Sequence, residues 1–428
     1  MTSEQNHVTM AYLAPEIPAL SATFVYEEML ALERRGMVIV PISVHRPVEP
    51  AVGQAALLAR VCYLYQGSKA ALAVTGLWRL PNQAGALAAL RYLLADMRAC
   101  GLHRKLSWKL LFQFLVAVKL AGVLKKHGCT HLHVHFAHVP TQIAMYACAM
   151  AQIPFTIMAH ANDIYERGLL LPEKAQRSMK MLTISEHNRR HLIQLGVSID
   201  KIDVVRCGVS FAAPPAKRPA QQRPRYRIGT LGRLVEKKGM DVLIKALAHL
   251  REQPYAIELS IAGDGPLRTQ LEALIIGLGM TAMVRFEGSM PHQSVIKWMQ
   301  ELDVFVLACK PDAQGDMDGI PVVLMEAMSQ AVPVISTRLS GIPELIVHEH
   351  TGLLAEPGNE HDLARQIDTL LGSAALRDLL ALRAQQHVEH EFGQSLNLDS
   401  LMTHLNLTSS DAAVVEKNTV RQVPHKMA

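Results

Sequence analysis

The stretch Ile228-Gly-Thr-Leu-Gly-Arg-Leu-Val-Glu-Lys-Lys-Gly239 decides how the chain folds. Ile228–Leu231 is short and apolar, and Gly232 breaks it. Beyond Gly239 the period changes: Met240, Leu243, Ile244, Leu247 and Leu250 share one face of a helix. Strand, glycine turn and amphipathic helix form one unit, and the unit recurs. Ile257–Ala262 is the next strand, Gly263-Asp-Gly265 its turn, and Pro266 suits the first turn of a helix. Val284–Phe286, Val304–Leu307 and Pro333–Ser336 continue the series. Such alternation predicts a parallel sheet covered by helices on both faces.

The N-terminal half keeps the same rhythm, with strands expected at Thr9–Leu13, Val38–Ser43, His131–His135, Phe155–Met158, Met181–Ile184 and Ile202–Val205. The predicted fold class is therefore α/β, with two Rossmann-like doubly wound domains in succession. Residues 1–210 make the first domain. Residues 211–225, rich in Pro, Ala, Arg and Gln, make a semi-stiff linker. Residues 226–385 make the second, 386–406 a helix returning toward the first, and 407–428 a polar, disordered tail.

Bulk composition narrows the function. The chain has 428 residues, 50% of them hydrophobic and 19% charged, enough for two or three domains. A net charge of +5 does not by itself argue for nucleic acid, and none is expected as a partner. Six cysteines lie scattered with no Cys-x-x-Cys pair, which fits a reducing cytoplasm. No basic run followed by an apolar run opens the chain, so no signal peptide is expected. Val139–Asn162 is uncharged, but Pro140, Gln142, Gln152 and Pro154 interrupt it. It reads as a helix over 140–151 and a buried strand rather than a membrane span.

Two loops carry the chemistry. Arg233 and Lys238 follow a strand end and open a helix, where open parallel sheets bind ligands and helix N-termini offer donors to phosphate. An ordinary exposed basic turn is the plainer alternative. Asp318-Gly-Ile-Pro-Val-Val-Leu-Met-Glu326 holds two carboxylates. Pro321 starts a helix, Asp318 precedes it, and Glu326 interrupts its apolar run, so Glu326 faces something polar. Cations for a diphosphate and carboxylates for sugar and ribose hydroxyls equip a protein to grip a nucleotide-sugar.

His131, His133 and His135 fall on one face of a strand, as zinc ligands would. A metal-dependent hydrolase is thus a competing reading, as is a non-catalytic nucleotide-sugar-binding scaffold. The strand is central and its end meets the ligand-binding edge, so His135 reads more simply as a polar contact and no metal is expected. Between Arg98 and Lys126 lie seven Lys/Arg and no acid, with Leu106, Leu110, Phe114, Leu115 and Trp108 among them. That pattern fits a helix on anionic lipid, or a core helix with a solvated basic face.

Taken in order, Gly232-Arg-Leu, Lys238-Gly, Gly263-Asp-Gly-Pro-Leu, Asp318-Gly-Ile-Pro, Leu324-Met-Glu-Ala-Met, Gly341-Ile-Pro-Glu344 and Gly352-Leu-Leu resemble the retaining glycosyltransferases of family 4, which have the GT-B fold. Ser21-x-Thr23-Phe24-Val25-x-x-Glu28, His133-x-His135-Phe136, His160-Ala-Asn-Asp163 and Ser185-Glu-x-Asn188 resemble the colanic-acid and exopolysaccharide branch. The resemblance implies that the two domains face across a cleft, the second binding a UDP- or GDP-linked sugar. No further cofactor is implied. Arg233 and Lys238 would hold the diphosphate, with the amides of Gly319, Ile320 and Val322. Glu326 would hold the ribose, and Phe286 and Gly288 would line the base pocket. Asp318 stands where the family has glutamate, beside the sugar, and His160 would touch the sugar from the first domain. Ser21, Thr23, His135 and Asp163 would lie on the acceptor side. The resemblance also implies a lipid-linked oligosaccharide acceptor at the inner face of the cytoplasmic membrane. Anomeric configuration would be retained by front-face displacement, without a metal.

Overall fold

The structure is a computed structural model that describes residues 9–19, 22–47, 53–209 and 225–405. Of the linker expected over 211–225, residues 211–224 lie outside the described residues, as do the tail over 407–428 and Ser21, whereas Arg225 opens a strand. The chain divides into two compact units. Of the described residues, the first comprises those within Thr9–Thr183, Arg189–Val205 and Leu398–Leu405, and the second those within Ile184–Asn188 and Arg206–Asn397.

In the first unit, β1 (Thr9–Glu16), β2 (Val38–His45), β3 (Cys62–Tyr63), β4 (His131–His135), β5 (Phe155–Ala159), β6 (Met181–Thr183) and β7 (Ile202–Val204) form one sheet. Its order is β3-β2-β1-β4-β5-β6-β7, and every pairing is parallel. In the second unit, β8 (Arg225–Leu231), β9 (Ala256–Ala262), β10 (Val284–Gly288), β11 (Val304–Val306), β12 (Val334–Thr337) and β13 (Leu353–Ala355) pair in the order β10-β9-β8-β11-β12-β13, again all parallel. Both are doubly wound sheets whose strand order reverses once, between β1 and β4 and between β8 and β11. At such a reversal the flanking connections leave on opposite faces and open a crevice at the carboxyl ends.

Strands expected from apolar runs form where they were expected. β3 and β13 were not expected; β3 has only two residues and so no readable period, and Leu353–Ala355 was read only as part of the Gly352-Leu-Leu motif. The helix expected over 386–406 is two helices, Ala374–Glu391 and Gln394–His404. They part at Phe392 and Gly393, where Val209 donates to the Phe392 carbonyl and accepts from Gln394, each at 3.0 Å.

Helix Lys105–Lys126 is long and apolar enough to cross a membrane, the one such helix among the described residues. Its side chains say otherwise: Leu110, Phe114, Leu115, Val116 and Leu120 are buried in the core of the first unit. Burial on this scale holds each such side chain by about 1.5–3 kcal/mol. Lys119 is also drawn in, its ammonium donating to the carbonyls of Tyr63 and Leu64 at 2.8 and 2.9 Å. The lipid-facing reading of Leu110, Phe114 and Leu115 is therefore corrected, because those side chains are already spent on helix Val139–Ala151 and the sheet. Trp108 does remain exposed.

Candidate active site

At the β8/β11 reversal three backbones approach too closely for side chains. A Cβ at Gly239, where φ is +63°, would lie 1.8 Å from the Ala308 carbonyl oxygen, and one at Gly263 2.1 Å from that of Gly232. Only glycine satisfies both the left-handed turn and the approach. This packing holds Lys238 against the loop after β11. Its ammonium lies 2.7 Å from Asp318 Oδ2, and that of Lys237 lies 2.7 Å from Asp316 Oδ2 and 3.7 Å from Asp318 Oδ1. The Cys309 thiol donates to Asp318 at 3.4 Å. The Lys238 and Asp318 side chains are only 16% and 14% exposed.

Burial alone would lower the Lys238 pKa, but the Asp318 charge and hydrogen bond, with Cys309 and Asp316 nearby, together outweigh it and the net shift is upward. Burial likewise pushes the Asp318 carboxyl up, and Lys238 and Lys237 together overcome it and hold the group below its usual range. At neutral pH the pair is ionised and mutually neutralised. Burial pushes the Cys309 thiol well up, so it stays protonated and donates.

Pro321 caps helix Val322–Ser329, as expected from the Gly-Ile-Pro turn. The amides of Gly319 and Ile320 donate no hydrogen bond among the described residues. Glu326 lies one turn inside, its carboxylate 3.1 Å from His292 Nε2. Arg233 is exposed and forms no ion pair among the described residues. Phe286 on β10 carries the Arg268 guanidinium 3.9 Å above its ring, and nothing would crowd a Cβ at Gly288. Also within the second unit, the Glu344 carboxylate accepts from the amides of Glu186 and His187 at 3.0 and 2.8 Å, joining two of the sequence segments quoted above.

The β1/β4 reversal of the first unit holds a second cluster. His135 Nδ1 lies 3.1 Å from His160 Nε2, and His135 Nε2 lies 2.6 Å from the Tyr12 hydroxyl and 3.2 Å from Glu28 Oε1. Tyr12 also donates to Glu28. Phe24 and Phe136 flank the His160 ring at 4.8 and 4.6 Å. Phe136 sits at φ +71°, a conformation that costs a bulky residue about 1–3 kcal/mol and recurs at functional sites. Burial takes the His135 pKa down to about 3 and that of His160 well below normal, so both rings are neutral at pH 7.

Two acceptor-side expectations change here. Both nitrogens of His135 already have partners, and the residue is fully buried, so it orients His160 from behind. Asp163 is also fully buried, and its carboxylate accepts the amides of Ala137, His160 and Ala161 at 2.6, 3.1 and 3.0 Å. It fixes the chain after β4 and β5 and does not reach outward. Thr23 opens helix Thr23–Arg34 and is half-buried.

The three strand histidines do not converge on one point. Thr156 Oγ1 holds His131 Nε2 at 2.9 Å and His133 Nδ1 at 2.8 Å. The donor set that does gather is Glu28, His133 and His135, whose ligand atoms lie within 4.8 Å of one another. Glu28 and Tyr12 received no role from the sequence. Glu28 was readable in principle, since it sits on the apolar stripe of its own helix between Val25 and Leu32. Lys174 was not readable. It is fully buried, donates to the carbonyls of Ala137 and Leu169, and burial drops its pKa to about 7.

Residues 216–387 match the family model "Glycosyl transferases group 1", and residues 81–212 match "Glycosyltransferase Family 4". The chain is 32% identical over 346 residues to the colanic acid biosynthesis glycosyltransferase WcaL of Escherichia coli (strain K12), covering 76% of this chain and 84% of the relative. It is 37% identical over 245 residues to the amylovoran biosynthesis glycosyltransferase AmsK of Erwinia amylovora, covering 55% of this chain and 60% of the relative. Among solved structures, HepE from Anabaena in complex with UDP-glucose superposes with a TM-score of 0.69 at 16% identity, over 94% of this chain and all of the other.

Proposed function

Since the chain belongs to the family 4 glycosyltransferases, we propose that it moves a hexose from a nucleoside-diphosphate sugar to a lipid-linked oligosaccharide during exopolysaccharide assembly. The observation that carries this reading is the Lys238–Asp318 pair at the β8/β11 reversal, beside the unbonded amides of Gly319 and Ile320. The relatives involved in colanic acid and amylovoran biosynthesis support the acceptor class.

In this proposal Lys238 exchanges Asp318 for the donor diphosphate, with Arg233 and the amides of Gly319, Ile320 and Val322 completing the anion site. The leaving nucleotide gathers negative charge as the glycosidic bond breaks, and fixed cations in a sheltered site stabilise that charge most effectively. Asp318, released from Lys238, accepts from sugar hydroxyls. Glu326 takes the ribose, and Phe286 with Gly288 flanks the base. His160, held neutral, hydrogen-bonds the sugar without adding charge. Thr23 lies on the acceptor side. The departing phosphate oxygen removes the acceptor proton, and the new bond forms on the face from which the nucleotide leaves.

Proton NMR of the product tests the reaction: an α-linked donor should give an α-linked product. An inverted product, or a glycosyl–enzyme adduct seen by mass spectrometry, overturns front-face displacement. Transfer should also survive chelation. Loss of activity restored only by a divalent ion would transfer the weight to Glu28, His133 and His135.

A further inference from the structure

Glu28, Tyr12, His135 and His160 form one row of hydrogen bonds, although they come from helix Thr23–Arg34, β1, β4 and the residue after β5. One oxygen anchors the row. Glu28 Oε1 meets the Tyr12 hydroxyl and His135 Nε2, the latter at 3.2 Å, and His133 Nε2 lies 3.9 Å away. His133 Nε2 is buried and has no hydrogen-bond partner, so a third group capable of donating stands close to the same oxygen. Tyr12, His135 and His160 are buried, and the Glu28 side chain is 16% exposed. Polar groups so far from water must satisfy one another.

Their protons can be counted. Burial keeps both rings of the row neutral, and a neutral imidazole carries its proton on one nitrogen and a lone pair on the other. The Tyr12 hydroxyl has one proton, with Glu28 and His135 Nε2 both in reach. Two arrangements fill every bond. In the first, Glu28 accepts from Tyr12 and from His135 Nε2, His160 Nε2 donates to His135 Nδ1, and His160 Nδ1 keeps a lone pair. In the second, Glu28 is protonated and donates to Tyr12, Tyr12 donates to His135 Nε2, His135 Nδ1 donates to His160 Nε2, and the His160 proton stands on Nδ1. The gathering of three potential donors around Oε1 favours the first. Burial raises the pKa of the Glu28 carboxyl, and His133 and the Tyr12 hydrogen bond limit the rise.

We propose that Glu28, acting through His135, fixes the tautomer of His160 with its proton on Nε2 and a lone pair at Nδ1. A carboxylate that accepts from an imidazole sets which nitrogen holds the proton, and here a second imidazole carries the choice onward. Glu28 is thus a positioning residue. Its consequence for transfer rests on the reading that His160 touches the donor sugar. Breaking the glycosidic bond leaves positive charge on the sugar ring. A lone pair at His160 Nδ1 accepts a sugar hydroxyl and favours that charge, whereas a proton there opposes it.

The first test needs no nucleotide-sugar. Nitrogen-15 NMR of the full chain with labelled histidines reads which nitrogen of His160 is protonated at neutral pH, with the signal assigned by its loss in His160→Asn. In the parent the proton should be on Nε2. Glu28→Met removes the anchor, so Tyr12 turns its proton to His135 and the His160 proton should move to Nδ1. Glu28→Gln supplies an amide oxygen and should return it to Nε2. Tyr12→Phe leaves the anchor in place and should change nothing. A parent with the proton on Nδ1 overturns the proposal, and this outcome stands even if Glu28→Met fails to fold. So does Glu28→Met with a lower Tm and an unmoved proton, which is what a side chain needed only for packing would give. The second test adds donor and acceptor. In Glu28→Met kcat should fall roughly 10–100-fold with KM little changed, and Glu28→Gln should recover most of it. A proton that moves while kcat stays constant leaves Glu28 in this role and removes His160 from the sugar, so the two readings fail separately.

Discussion

Lys238 and Asp318 form an ion pair that is mostly withdrawn from water, and each sets the charge of the other. Removing the ammonium leaves the carboxylate with Lys237 at 3.7 Å and the Cys309 thiol. Lys238→Ala should cut turnover roughly 10²–10³-fold, with Arg233→Ala in the same range, if both stabilise leaving-group charge. Turnover is the deciding measurement, with circular dichroism confirming the fold; unchanged rates would remove both from the mechanism. Lys174 gives a prediction in pH. Its folded pKa is about 7, whereas an unfolded lysine holds its proton to about 10.4. Across that window the unfolded chain binds the extra proton, so this residue makes stability rise with pH. Lys174→Met should flatten the rise relative to the parent, read as urea midpoints at neutral and mildly alkaline pH. A parallel pair of curves would show that Lys174 keeps its proton in the folded chain.

At the scale of the element, glycine turns bring the strand ends to bear on the site. Gly239 combines a left-handed φ with a backbone approach to Ala308 that excludes any Cβ. Gly239→Ala should therefore destabilise by more than about 1–2 kcal/mol. That corresponds to a fall of at least about 2–4 °C in Tm. Activity should fall as well, because Lys238 adjoins the turn. A variant with unchanged Tm would mean that the loops separate more easily than their packing suggests. Elements with a strong period were legible: helix Met240–His249 and strand β9 lie within a residue of their expected bounds. β3 was not legible, because two residues become a strand only when a neighbour supplies the ladder. Helix Lys105–Lys126 was ambiguous for a related reason. Its apolar residues suit lipid or core equally, and only the presence of helix Val139–Ala151 decided between them.

Over the whole molecule, two sheets share one winding, and each reversal of strand order gathers polar side chains. If the second holds the donor, nucleotides that bind only the folded chain should raise Tm. The gain is about 2.7 kcal/mol at a ligand concentration one hundred times Kd. A thermal-shift series of UDP, GDP and their sugars should show one base clearly ahead. No shift with any of them would remove Phe286, Gly288 and Glu326 from the donor site.

The sequence alone determined the repeating strand–turn–helix unit and the loops that carry Arg233, Lys238, Asp318 and Glu326, because period and glycine placement act over a few neighbouring residues. Only the tertiary structure decided the partners. That Asp318 meets Lys238 across 80 residues, that Asp163 turns inward to amides, and that His133 and His135 meet Glu28 all depend on distances between segments remote in the chain. Burial then set which of those groups carry charge, and burial belongs to the packed molecule, not to any local run of residues.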